Sequence, residues 1–250
     1  MTSILTFTHR TWVTGRRRHF VAVLGLVLAL MAAVNVLDHF GPARTSLVLG
    51  PSVTVALVVL SRRSGLTWDD LGLARHSWRR GALVAVGSVL LVVAVYAVAM
   101  ALPATRLAFL DVRYQLPVGR ALFSALVVIP LGTVVLEEIA FRGVLMGLLT
   151  RRRSARWGLG VSSSLFGLWH VLPSLGLGGV NQAVKGVAGA GDLGRVLVVA
   201  GVVAFTAVAG VLLGELRRRS GSLLASAGLH WAVNGVGVIA TAALFAVRAA

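Results

Sequence analysis

Cysteine is missing from all 250 residues, and charge is scarce, with Asp, Glu, Lys and Arg together making 13% of the chain. A soluble domain of this size carries about 25% charged residues. The lack of cysteine excludes disulfides and thiolate metal sites. Acidic residues are the scarcest charges, eight against 24 basic ones, and the only glutamates are Glu137, Glu138 and Glu215. No repeat of 20–50 residues is visible, which argues against a transporter built from repeats. No separate soluble domain stands out either.

What is present is apolar: 57% of residues are hydrophobic and the mean hydropathy is +0.89. A helix needs about 20 apolar residues to cross a bilayer. Seven segments qualify as candidates, roughly 20–37, 45–60, 82–102, 121–149, 157–172, 196–214 and 222–247. They predict an all-α, polytopic membrane helix bundle of seven to eight spans with a polar cavity inside the membrane. The second is short and holds Pro51, which predicts a tilt or kink. The fourth is too long for a straight crossing, so its C-terminal part is expected either to extend beyond the membrane or to bend near Pro130. Arg16–Arg18 precede the first run as in a signal peptide, but no small-x-small cleavage site follows Leu37, so this run is read as a retained span. The Gly-rich stretch 176–192 has no helical period and reads as a flexible outer loop.

A net charge of +16 would suggest nucleic acid in a soluble protein. Here the arginines sit in short clusters between apolar runs, so no nucleic-acid partner is expected. With the N-terminus inside, 16 arginines fall on inner flanks: Arg10 and Arg16–Arg18; Arg62, Arg63, Arg75, Arg79 and Arg80; Arg151–Arg153 and Arg156; and Arg217–Arg219. Seven basic residues fall outside: Arg44, Arg106, Arg113, Arg120, Lys185, Arg195 and Arg248. That asymmetry predicts a cytoplasmic N-terminus in a multi-pass cell-membrane protein, with a bacterial plasma membrane the expected setting. Residues 61–81 mix Trp68, Leu71, Leu73 and Trp78 with arginines, as either a cytoplasmic interfacial segment or an ordinary loop would.

Against this background Glu137, Glu138 and Arg142 stand inside the long apolar run. A charge at bilayer depth costs roughly 3 kcal/mol on insertion scales and usually marks function. His170 and His230 also lie in apolar spans, with Asn234 one turn beyond His230 and Ser226 on the same stripe. Singly, each suits a helix–helix hydrogen bond or a local ion pair. Together they concentrate two carboxylates, two imidazoles and a carboxamide where the chain otherwise avoids polar groups. Gly189-Ala-Gly-Asp192 matches an aspartyl-protease fragment, but no span offers a second aspartate. Ser162–Ser164 with His230 lacks the Gly-x-Ser-Gly context of a Ser–His pair.

Glu-Glu-x-x-x-Arg, Phe-x-x-x-His and His-x-x-x-Asn, in this order over residues 120–240, resemble the CPBP family of CAAX-protease and bacteriocin-processing intramembrane endopeptidases. This family is also called Abi and is related to the type II CAAX prenyl protease. The resemblance implies a catalytic core over 120–247 behind N-terminal membrane helices, 1–119, in one integrated domain. It implies Glu137 as general base for water, His170 holding that water or a metal, and His230 and Asn234 as donors to the oxyanion. Glu138, Arg142 and Phe166 would support them. The four catalytic side chains are expected to converge on one pocket. Members act with and without a metal; a zinc here would use Glu137, His170 and His230, and otherwise no cofactor is required. The implied partner, besides the lipid bilayer, is a membrane-embedded or membrane-anchored peptide or protein substrate. A catalytically silent scaffold, immunity or regulatory protein of the same fold is the alternative.

Overall fold

The computed structural model describes residues 3–42, 45–188 and 191–249, with side chains for 18–42, 45–186 and 191–248. Arg44, Gly189 and the side chains of His9, Arg10, Arg16 and Arg17 lie outside the described residues. Seven helices make up the bundle: α1 Ser3–Phe40, α2 Ser46–Arg63, α3 Trp78–Ala101, α4 Val118–Arg152, α5 Ala155–Trp169, α6 Asp192–Ser220 and α7 Leu223–Arg248. All but α5 are long and apolar enough to cross a membrane, counting α1 from Arg18. The 15 residues of α5 rise only about 22 Å.

α4 is the axis. Leu136 to Leu149 are buried without interruption, walled by α1, α2, α5, α6 and α7. Its N-terminal half mixes exposed and buried residues and so leaves one side at the surface of the bundle. Around Pro130 the helix departs from regular α geometry, with π-helical segments at Ser124–Val128, Pro130–Val134 and Glu138–Leu145. Pro130 has no N–H for the Leu126 carbonyl, so regular α-helix cannot run through it. The wider turns free carbonyls for outside donors, and the Trp231 indole donates to the Ala125 carbonyl at 2.8 Å. Small residues bring backbones together. A Cβ on Gly50 would lie 2.5 Å from the Leu131 carbonyl of α4, and one on Gly210 would lie 3.1 Å from Ser163 Cα of α5.

Proline also explains where α5 stops. Pro173 cannot donate to the Trp169 carbonyl, so the helix ends at His170. Asn35 of α1 donates to that carbonyl instead, at 2.8 Å. The following Gly-rich stretch differs from the expected flexible loop, because it contains helical turns at Leu177–Val180 and Gln182–Ala188. Asn181 organises it: its Oδ1 accepts from the Ala183 and Val184 amides, and its Nδ2 donates to the Ala108 carbonyl. An antiparallel bridge Asp111↔Asn181 ties the α3–α4 and α5–α6 connections together.

At the opposite end, residues 64–77 form a strap between α2 and α3. Thr67 and Asp70 make a capping box around the turn Trp68–Leu71, and Gly72 leaves it at φ 70°. Leu66 and Leu71 are buried beneath, while Trp68 and Trp78 are about half exposed. This division suits a segment lying at headgroup depth.

Candidate active site

Glu137 and Glu138 are consecutive on α4 and both buried, at 4% and 2% exposure. They serve different partners. Glu138 Oε1 accepts from His230 Nδ1–H at 2.9 Å and lies 3.2 Å from Arg142 Nη1. With Nδ1 so occupied, Nε2 is the free ring nitrogen, and it faces Glu137 Oε2 at 3.6 Å. The other Glu137 oxygen accepts from the Trp169 indole at 2.8 Å. Ser226, on the same α7 stripe as His230, is buried beside Glu138.

Arg142, at 2% exposure, is sandwiched by chemistry rather than water. Its guanidinium lies 3.8 Å above the centre of the Phe166 ring, a cation–π contact that strengthens when desolvated. Phe166 also meets His170 and His230 edge-on, with centroids 4.6 and 5.8 Å apart. Phe166 therefore packs against both imidazoles.

His170 and Asn234 are half-buried and line a cleft of about 520 Å³ with Tyr96, Thr133, Asn181 and Thr241. Asn234 falls in the π-helical turn Ala232–Val236 of α7. Glu137 sits one turn past Thr133 on α4 and does not itself line the cleft. The expected four-way convergence is thus divided: Glu137 with His230 behind, His170 with Asn234 on the wall. Among the described residues, no hydrogen bond or ion pair joins His170 to Glu137; its Nδ1 pairs with its own helix's Phe166 carbonyl at 2.8 Å.

The donor set considered for zinc does not gather. No three His, Cys, Asp or Glu side chains among the described residues are placed to share a cation.

Trp169 and Asn35 are the polar partners that sequence reasoning missed. The signal for Trp169 was its place beside His170 at the buried end of an apolar run, where an indole N–H must find an acceptor. Asn35 offered only a carboxamide in an otherwise apolar span.

No curated protein and no solved structure matches the chain. The family described as type II CAAX prenyl endopeptidase Rce1-like does match, over residues 119–236. That range spans all three polar motifs and most of α4 through α7. With its apolar helices the chain is a multi-pass membrane protein, and over residues 119–236, where all its polar motifs lie, it is similar to the Rce1-like family of type II CAAX prenyl endopeptidases.

Proposed function

We propose that this chain is an intramembrane endopeptidase that cuts a membrane-associated polypeptide with a water activated by Glu137. The observation that carries the reading is the placement of Glu137 Oε2 opposite His230 Nε2, 3.6 Å apart, one helical turn past Thr133, which lines a cleft with His170 and Asn234. Glu137 Oε2 has no hydrogen-bond partner among the described residues, which leaves it as the basic atom. It takes a proton from water as the water oxygen attacks the peptide carbonyl, and that proton then passes to the leaving amine. Asn234 donates to the oxyanion, His230 does so from Nε2 in its doubly protonated form while Nδ1–H stays on Glu138, and His170 orients the water. Such donors act on charge that develops in a site sheltered from solvent, where each is worth about 100-fold or more.

Trp169 holds the second Glu137 oxygen, and Glu138 with Arg142 holds His230. Residues 120–247 form the catalytic core on this reading, and the helices of 1–119 frame it. The N-terminus is cytoplasmic. Substrates are proteins or peptides embedded or anchored in the bilayer.

The burial of Glu137 favours one rival, a silent scaffold that uses the polar cluster for packing. The two separate in a cleavage assay with a membrane-anchored reporter peptide, run on wild type, Glu137→Gln, His230→Ala and Asn234→Ala with and without chelator. The peptidase reading expects wild-type cleavage that persists in chelator and losses in all three variants. Equal turnover in all four proteins overturns the assignment.

A further inference from the structure

The two ends of the bundle are built differently, and the difference bears on where the cleft opens. At one end lie the arginine-rich termini of α2, α3, α4 and α6. This end is closed. The strap 64–77 crosses it, held by Arg151 donating to the Gly65 carbonyl and Asp70 carboxylate at 2.7 and 2.5 Å. Arg217 donates to the Asp69 carbonyl at 3.0 Å and also to that of Asp70. Leu66 and Leu71 fill the space beneath, both essentially inaccessible. Leu223 N donates to the Gly72 carbonyl at 2.8 Å, which joins the strap to the start of α7.

The cleft is at the other end. Its rim comes from the two connections opposite the arginines, through Asp111 and Arg113 on one side and Ser174, Leu177 and Asn181 on the other. The Asp111↔Asn181 bridge fixes the rim, and Arg113 pairs with Asp111 at 2.7 Å. From there the cavity descends past Thr241 to Asn234 and Thr133, and Glu137 follows one turn deeper.

Arginine-rich flanks stay in the cytoplasm because short basic segments are not translocated. Combined with the closed arginine-rich end, that rule gives the cleft a side. We propose that the site is reached from the extracytoplasmic face, so that its substrate is a polypeptide whose scissile segment lies on or enters from the outer leaflet. The substrate part rests on the peptidase reading above; the direction of the cleft does not. The walls suit an extended chain. Tyr96, Ile129 and Val238 offer apolar contact, while Thr133, Thr241 and Asn234 offer hydrogen bonds to its backbone. Such a substrate is an exported or lipid-anchored protein with its cut site near the membrane, not a cytoplasmic tail.

The absence of cysteine from the chain makes the test direct. Single variants Leu175→Cys and Lys185→Cys place a thiol beside the rim; Leu175 is 50% exposed and Lys185 is exposed. Arg156→Cys places one on the arginine-rich end. Intact cells are treated with a membrane-impermeant maleimide, then permeabilised and treated again. Labelling of the two rim variants in intact cells, with Arg156→Cys labelled only after permeabilisation, is expected. The reverse pattern overturns the proposal, as does labelling of all three in intact cells. Two anchored reporters complete the test, one with its cleavable segment outside and one inside. Cleavage of the outer reporter alone is expected, and cleavage of the inner one alone overturns the substrate assignment. If neither is cut while labelling is as expected, the peptidase reading falls and the direction of the cleft stands.

Discussion

Arg142 and Arg151 lie nine residues apart on α4, and each meets a carboxylate. Arg142 and Glu138 are both 2% exposed, whereas Arg151 and Asp70 are 43% and 23% exposed. The exposed pair is shorter, 2.5 Å against 3.2 Å, yet distance is a poor guide to importance here. Removing one partner of a buried pair leaves an uncompensated charge and costs about 3–5 kcal/mol, whereas exposed pairs contribute about 0–1 kcal/mol. The bundle thus carries one ion pair that it depends on and another that trims a surface strap. The dependence arises because Arg142 is buried, with the Glu138 carboxylate and the Phe166 face close to its guanidinium.

The comparison breaks most visibly at Arg142. Arg142→Leu strands Glu138 in the membrane interior and is expected to cost about 3–5 kcal/mol, read as a large drop in thermal stability in detergent and in accumulated protein. The double variant Arg142→Leu with Glu138→Leu removes both charges and is expected to recover much of that loss. A single variant as stable as wild type would end the claim that the pair is structural.

Glu137 tests the opposite property, since it shares the burial of Glu138 without that residue's arginine contact. Glu137→Gln keeps an acceptor for the Trp169 indole and is expected to leave thermal stability near wild type. Cleavage should fall about 1,000-fold, within the range of a lost general base. Trp169→Phe removes only the indole donor that holds Glu137. A hydrogen bond to a charged group is worth about 1.5–3 kcal/mol, so kcat should fall about tenfold or more with KM unchanged. A loss confined to KM would place Trp169 in substrate binding instead of positioning Glu137.

How much of this was legible in the sequence follows from how scarce each signal was. With only three glutamates, two adjacent ones inside an apolar run stood out, and Arg142 one turn on supplied their partner. His230 and Asn234 at i, i+4 predicted a shared helical face; the first meets Glu138 and the second lines the cleft. The spacing could not say which carboxylate His230 would choose, because that depends on how α7 rotates against α4. Nor could it separate His170 from Glu137, since that follows from α5 ending at His170 when Pro173 leaves the Trp169 carbonyl to Asn35. Trp169 itself was hidden among six tryptophans, several of which suit the membrane interface. The strap was half legible: its tryptophans pointed to headgroup depth, but the anchoring arginines come from helices 81 and 147 residues away in sequence.

The smallest expected effect sharpens the exposed side of the comparison. Burial pushes the Asp70 carboxyl up, but hydrogen bonds from the Thr67 hydroxyl and amide and the Arg151 guanidinium outweigh it and hold the group below the usual carboxylate range. A carboxyl held down in the folded state adds stability above its unfolded value, near 4, and loses it as pH falls through the lower folded value. Arg151→Met should therefore cost less than about 1 kcal/mol at pH 7, given how exposed the pair is. That cost should shrink below pH 4 as Asp70 gains its proton. Thermal unfolding of wild type and Arg151→Met at pH 7 and pH 3 measures both quantities. A cost that is large, or that does not change with pH, would mean that Arg151 holds the strap through the Gly65 carbonyl and not through the Asp70 charge.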